Sequence, residues 1–157
     1  MFQRCVVVLA LALCACESNE YGAEGRLKMR WKPPPGVKLE AEATEGALTI
    51  ARFSGGVEVR SVEAAPPATT TDLDALEKLL VASAKLEEPG EVQSGRAGSI
   101  PAGSTVRWEH RAGPQRRLIY YVPGKGRYVL LSLVAPQNSF GTRSDKLELS
   151  LASLKLE

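Results

Sequence analysis

Three cysteines and one histidine are the most reactive side chains of this sequence. All three cysteines, Cys5, Cys14 and Cys16, lie within the first 16 of 157 residues. A single residue separates Cys14 from Cys16, which fits neither the common spacing of zinc ligands nor a C-x-x-C redox motif. The chemistry open to this cluster is therefore that of a thiol at the end of an apolar segment.

That segment runs without a polar residue from Cys5 to Cys16, directly after Arg4. It is too short to span a bilayer, which takes roughly 20 residues as a helix, but it suits the apolar region of a secretory signal peptide. It closes on Leu13-Cys14-Ala15-Cys16, which resembles a bacterial lipobox. The resemblance implies that the Cys16 thiol receives a diacylglyceryl group, that the chain is cut after Ala15 and that the new amino group is acylated.

Two other interpretations of the segment are an ordinary cleavable signal with incidental cysteines and an uncleaved apolar anchor. With a lipobox, Cys5 and Cys14 leave with the signal and lipid occupies Cys16, so the mature domain has neither a free thiol nor a disulfide. Glu17 follows the modified cysteine. The best-known rule for retention in the inner membrane prefers Asp at that position, so we expect an outer-membrane anchor with the domain facing the periplasm.

The chain length after the signal suits one domain. We expect residues 1–15 to be a lipoprotein signal peptide, 16–26 to be the lipidated cysteine with a flexible tether, and 27–157 to be a single domain. No later apolar run approaches 18 residues, so the lipid is the only membrane anchor that the sequence predicts.

His110 is the residue to consider first as a catalytic base. Nucleophilic catalysis needs a nucleophile beside such a base, and the Gly/Ser-rich stretch at 97–104 lacks the G-x-S-x-G spacing of a nucleophile elbow. We therefore expect His110 to be a partly exposed strand residue and the protein not to be an enzyme.

Metal ligands are equally scarce in the mature chain. Zinc prefers nitrogen and sulfur ligands, and His110 is the one candidate. Glu40 and Glu42 lie two apart on a predicted strand, where both carboxylates would share a face and could bind calcium. A solvated acidic strand face is the favoured interpretation, so we expect no metal and no cofactor.

A cluster of cations is the most informative polar feature. Six cations lie within 21 residues, and Glu109 is the one acidic residue among them. Residues 100–157 carry 9 basic and 4 acidic groups, whereas residues 16–99 carry 10 basic and 14 acidic groups. We expect a basic surface that binds anionic head groups, lipopolysaccharide phosphates, peptidoglycan or an acidic partner; a solvated sheet face with paired charges is the alternative. The predicted location in the cell envelope and the near-zero net charge of the mature chain argue against binding of nucleic acid. The six cations are Arg107, Arg111, Arg116, Arg117, Lys125 and Arg127.

Alternation of apolar and polar residues predicts most strands. The strand at 37–43 is expected to be half buried, residues 91–104 to be a weak strand followed by a Gly/Ser loop, and the nearly all-apolar 127–135 to lie centrally in the sheet. Alternation also places Arg116 and Arg117 on opposite faces of their strand. The remaining predicted strands cover 27–31, 47–53, 57–62, 105–111 and 116–122.

Apolar residues spaced three and four apart predict a helix over 73–86, capped by Thr71 and stopped by Pro89-Gly90. The same spacing near the C terminus predicts a closing helix. The expected fold class is α+β, with an antiparallel sheet of about six to seven strands flanked by these two helices. The apolar positions are Leu73, Leu76, Leu80 and Ala84 in the first helix and Leu147, Leu151 and Leu154 in the second.

Several stretches of residues 35–156 resemble the PsbP-like superfamily, which includes small bacterial lipoproteins of the DcrB type. The resemblance implies an antiparallel sheet sandwiched by helices, a role in binding or assembly, and no shared catalytic set. The stretches that carry it are Gly98 with Pro101-Ala102, "RLIYYV", "GRYVLLSLVAP", Phe140 and "LASLKL".

These observations together predict a membrane-anchored envelope lipoprotein that acts as a non-catalytic accessory subunit of secretion, transport or motility machinery, with an envelope protein as its partner. The alternative is a lipoprotein that binds a small ligand or lipid, which would require a pocket between the sheet and the helix at 73–86.

Overall fold

The computed structural model describes residues 20–22, 24–68 and 71–157. The lipobox, its signal segment and the first residues of the predicted tether lie outside these ranges. Within them, none of the helices is both long and apolar enough to cross a bilayer.

Seven antiparallel strands form the main sheet, in the order β2-β3-β4-β8-β7-β6-β5. Two meanders, β2 to β4 and β5 to β8, join where β4 pairs with β8. The predicted α+β class and strand number are confirmed. The strands are β1 (Met29–Arg30), β2 (Leu39–Glu45), β3 (Leu48–Phe53), β4 (Val57–Val62), β5 (Glu91–Ile100), β6 (Gly103–Ala112), β7 (Gln115–Gly124), β8 (Arg127–Pro136) and β9 (Lys155–Leu156); the helices are α1 (Leu73–Ser83) and α2 (Gln137–Ser150).

Strand β8 lies at the centre of the sheet, between β4 and β7, as its composition predicts. Tyr128 and Leu130 point to the α1 side, whereas Leu131 and Leu133 point to the α2 side, and all four are buried. A strand with both faces covered needs no polar side, which explains the nearly continuous apolar run.

Helix α2 and the N-terminal segment cover one face of the sheet. Leu147 and Leu151 are buried there, which confirms the predicted closing helix, although it begins ten residues before Leu147. Tyr21 packs edge-on against Phe53, with ring centroids 6.0 Å apart. The packed chain therefore extends back to Tyr21, six residues before the predicted start of the domain.

Helix α1 covers the opposite face, and its predicted apolar side faces the core. Its N-cap is Asp72, whose carboxylate accepts from the Ala75 amide at 3.0 Å, so the prediction of Thr71 as cap is wrong. The helix ends at Ser83, three residues early, because Lys85 takes a left-handed backbone conformation and the Leu86 amide donates back to the Val81 carbonyl. This is the hydrogen-bond pattern of a Schellman C-cap.

The N-terminal strand alternates as predicted. Leu27, Met29 and Trp31 are all inaccessible to solvent. The strand pairs with the C terminus, however, since β1 and β9 form a separate two-stranded sheet over the α2 side.

Two strand predictions are wrong in part. Strand β2 is the outermost strand and is exposed on both faces, so it is not half buried. Residues 91–100 form a complete strand, β5, where a weak strand followed by a Gly/Ser loop was expected, and only Pro101-Ala102 turn the chain into β6. Backbone pairing with β6 along its whole length stabilises β5 despite its polar, glycine-containing sequence.

Candidate functional site

The structure does not gather the six predicted cations into one surface. Strand β7 is ten residues long, so Arg116, near its start, and Lys125, in the turn that follows it, are roughly 30 Å apart. Arg111 and Lys125 are exposed. Arg117 lies on the opposite face from Arg116, as the alternation predicts.

One of the six cations, Arg107, ties the sheet to α2, and Arg116 joins the same charge cluster. Arg107 donates from Nε to the Glu148 carboxylate at 2.7 Å and also pairs with Glu109, which Arg116 contacts as well. Burial opposes the charge on Arg107, but its bonds to Glu109 and Glu148 outweigh that effect and raise its pKa. Tyr120 donates to Glu148 at 3.0 Å, and its burial, reinforced by the Glu148 charge, raises its pKa to about 12. These charges are therefore largely engaged within the domain.

Arg127 is a buried clamp between the two ends of the domain. Its guanidinium donates to the backbone carbonyls of Leu27, Lys28 and Glu157. It is 5% exposed and lies beneath the small β1–β9 sheet. Its geometry therefore suits holding both termini on the main sheet.

Arg117 and Arg60 hold the loop that follows α1. Arg117 donates from Nη1 to the Glu87 carbonyl at 3.0 Å and to the next carbonyl at 3.3 Å. Arg60, which is buried, donates to the Ala84 and Lys85 carbonyls at 2.7 and 2.5 Å. The position of the loop is therefore set by arginine–carbonyl bonds to the sheet.

The expectation that His110 is partly exposed is wrong, because its side chain is 0% exposed. Its Nε2 lies against the carboxylate of Glu77 from α1, but the two atoms are not aligned as a hydrogen bond, and no hydrogen-bond partner for Nδ1 is found among the described residues. Strand alternation alone could not reveal this, because the helix that covers His110 comes from earlier in the chain. Sealed from solvent, the pair has the geometry of a tie between α1 and β6.

Glu40 and Glu42 do not share one site. A bulge between Leu39 and Ala41 breaks the strand alternation. Glu42 accepts a hydrogen bond from Tyr21, whereas Glu40 borders a different groove. Among the described residues, no group of three or more His, Cys, Asp or Glu side chains could hold a metal ion.

The two edges of the sheet differ in how they are protected. The edge β2 carries three carboxylates in seven residues, and charged side chains of this kind discourage further strand pairing. The other edge, β5, carries only Arg96 as a charge between Val92 and Ile100, and nine of its ten residues are exposed. Alternate residues of β5 direct their N–H and C=O groups away from β6. This long, weakly charged edge is the candidate functional site.

A groove of about 670 Å³ lies alongside the start of β5, between it and α1. Val81 of α1, Leu86 and Pro89 of the loop and Val92 of β5 supply its apolar wall. Gly90 makes the close approach possible, because a Cβ at its position would come within 2.3 Å of the Arg111 carbonyl oxygen. The groove and the edge strand therefore form one continuous surface, which we call the β5–α1 surface.

A second cavity borders the same strand on the α2 side. It measures about 320 Å³ and is lined by Arg96, Gly98, Ile100 and Tyr120. The β5–α1 surface thus offers apolar contacts on one side of the strand and a guanidinium on the other. Apart from Arg96, the side chains of 94–99 are small, which leaves this edge open.

Comparison with known proteins supports the architecture. No family model matches the chain, and no curated protein matches it. The solution structure of cyanobacterial PsbP (CyanoP) from Synechocystis sp. PCC 6803 is similar, with a TM-score of 0.59 and 13% identity, covering 88% of this chain and 91% of that one. A crystal structure of a Pseudomonas aeruginosa protein of unknown function matches at a TM-score of 0.44 and 12% identity, covering 78% and 83%. The chain therefore has a PsbP-like fold.

Proposed function

We propose that the protein is a lipid-anchored envelope lipoprotein that acts as a non-catalytic interaction subunit, and that it binds an extended segment of an envelope partner along β5. The observation that supports this most is the exposed, nearly uncharged edge of β5 beside an apolar groove. An added strand would satisfy the outward N–H and C=O groups, and pockets for alternate side chains would provide specificity.

The two sides of β5 suggest the chemistry of the partner segment. Side chains that point toward α1 would meet Val81, Pro89 and Val92, so apolar residues fit there. Side chains that point to the α2 side would meet the exposed Arg96, which favours a carboxylate. The expected partner segment therefore alternates apolar and acidic residues.

The alternative function, binding of a small ligand between sheet and helix, has less support. Leu76 and Leu80 of α1 pack directly onto Trp108 and Tyr121 of the sheet, and all four are buried. These side chains fill the interior between α1 and the sheet, which leaves a small ligand only the open groove beside β5.

The proposal also covers the cellular location of the protein and the assembly that it serves. We propose an anchor at Cys16, an outer-membrane location facing the periplasm, and service in secretion, transport or motility machinery. A lipid that confines the domain to the membrane plane raises its effective concentration near a membrane-bound partner.

A photo-crosslinking residue at Ser94 of β5 tests the docking edge in living cells. We expect a single stoichiometric envelope protein to crosslink from this position and not from a matched position at Ala43, on the opposite edge strand β2. A synthetic peptide that spans the mapped segment should bind the protein, and Arg96→Glu should weaken its binding about tenfold, or ~1.4 kcal/mol. Equal crosslinking from both edges, or a Kd unchanged by Arg96→Glu, would refute docking along β5.

Removal of the Cys16 thiol tests the anchor. In Cys16→Ala we expect no incorporation of labelled palmitate and no cleavage after Ala15, because the lipid is attached to the Cys16 thiol and cleavage follows that attachment. Cys14→Ala is the matched control, since it keeps a small residue within the lipobox and should remain labelled. Intact mass and membrane fractionation give the readout, and palmitate labelling of Cys16→Ala would contradict the assignment.

A further inference from the structure

A second apolar groove, of about 760 Å³, lies on the α2 side of the sheet, away from α1. Its walls are the segment Lys32–Pro35 and the C-terminal half of α2 with the turn that follows. Leu149 lines it and is 78% exposed, the most exposed large apolar side chain among the described residues. We call this surface the proline groove.

The groove is held open by its own hydrogen bonds. The Trp31 indole donates to Ser150 Oγ at 3.1 Å, and the Lys32 amide donates to Ser153 Oγ at 2.8 Å. These bonds fix the proline segment against the end of α2, and consecutive prolines are themselves stiff. The groove is therefore preformed and does not need a ligand to assemble it.

The charged side chains that line the proline groove are cations. Lys32 and Lys146, both exposed, are the charged residues among the described residues that line it, and no carboxylate lines it. Arg143 borders the adjoining groove around Pro34 and Pro35. An apolar surface rimmed by cations complements a bilayer with anionic head groups.

The chain enters the domain beside this groove. Tyr21 pairs with Trp31 through two backbone hydrogen bonds, of 2.7 and 3.0 Å. Trp31 directly precedes Lys32 and the prolines. Five residue steps separate Cys16 from Tyr21, so a lipid on Cys16 would lie within about 18 Å of Tyr21. The predicted tether, which reached residue 26, would allow a greater distance between the lipid and the domain.

We infer that the proline groove is the surface through which the domain lies on an anionic bilayer. Leu149 and Pro35, which are both exposed, enter the boundary between head groups and acyl chains, and Lys32 and Lys146 contact head-group phosphates. The inference rests on the proposed anchor at Cys16. Since α1 and α2 cover opposite faces of the sheet, this orientation leaves the α1 side of the β5–α1 surface turned away from the membrane.

A single fluorophore at position 149 tests the contact. In the mature lipidated protein the Cys16 sulfur is blocked, so Leu149→Cys supplies the free thiol for an environment-sensitive dye, and Leu79→Cys is the matched control. Leu79 is 51% exposed and lies on α1, on the other side of the sheet. The labelled proteins are reconstituted into vesicles that contain phosphatidylglycerol.

We expect the dye at 149 to shift to the blue and to be quenched by doxyl lipids at least about twofold more than the dye at 79. Lys32→Glu with Lys146→Glu should abolish this difference, whereas Lys78→Glu on α1 should not. Equal, aqueous emission from both positions would overturn the inference, and so would a dye at 149 that is shielded from iodide but not quenched by lipid, which would indicate a protein occupant.

The intact mass of the same sample separates this inference from the proposed function. A lipidated mass with an aqueous dye at 149 overturns membrane contact by the proline groove but leaves the anchor standing. A mass without acyl chains overturns the anchor and the inference together.

Discussion

Replacing Arg127 with methionine is expected to lower the free energy of unfolding by about 3–5 kcal/mol. Methionine keeps much of the volume but removes the donors to the Leu27, Lys28 and Glu157 carbonyls. Hydrogen bonds to a charged group are worth about 1.5–3 kcal/mol each, and the relief from no longer burying the guanidinium charge offsets part of the loss of three such bonds.

Urea denaturation followed by tryptophan fluorescence measures this effect, because Trp31 and Trp108 are buried on opposite sides of the sheet. The signals of both tryptophans should change at lower urea in the variant than in the unsubstituted protein. Lys125→Met is the matched control: it lies two residues away in an exposed turn, and its effect should stay within about 0.5 kcal/mol. If both variants were equally stable, Arg127 would not clamp the two ends of the domain.

Breaking the Glu77–His110 pair is the second change expected to have a large effect. Glu77→Leu leaves the fully buried His110 without the carboxylate beside it, and a buried polar group left without a partner costs about 1–3 kcal/mol. The double variant Glu77→Leu with His110→Phe removes both polar groups and should recover most of that loss, because apolar side chains of similar volume suit the site.

The stabilities of the two single variants and of the double variant form a double-mutant cycle. Glu87→Leu is the control, since Glu87 is exposed and contacts Arg117 only at 3.8 Å. A coupling energy near zero would mean that the pair does not tie α1 to the sheet. A catalytic role for His110 would then need a path for substrate to a side chain that the structure shows sealed.

The sequence contains the residues that protect or expose the edges of the sheet, but it does not show which strands are the edges. The glutamates of β2 were visible as an acidic strand face, and the small residues at 94–99 were visible as a loop signal. Only the strand order shows that these two segments are the two edges of one sheet. The proposal that β5 is a docking edge therefore depends on the sheet topology, whereas the chemical character of its side chains is given by the sequence.

The cationic cluster shows the same division. Alternation correctly placed Arg116 and Arg117 on opposite faces, because the side-chain period of a strand is a local property of the backbone. It could not show that Arg107 would bind the Glu148 carboxylate. Nor could it show that Arg127 and Arg117 would donate to the backbone carbonyls of Lys28 and Glu87, respectively. Those partners lie far away in sequence and meet these residues only when helices and termini pack on the sheet.

The sequence by itself determined the fold class, the helix α1, the closing helix and the central place of β8, since each follows from the spacing of apolar residues over a few turns or strand positions. It also determined the lipobox prediction at Cys16, which depends on consecutive residues. The tertiary structure decided which edge is open, that His110 is buried against Glu77, and that the chain enters beside the proline groove. These features require contacts between segments distant in the chain, and their formation depends on which surfaces the whole fold buries.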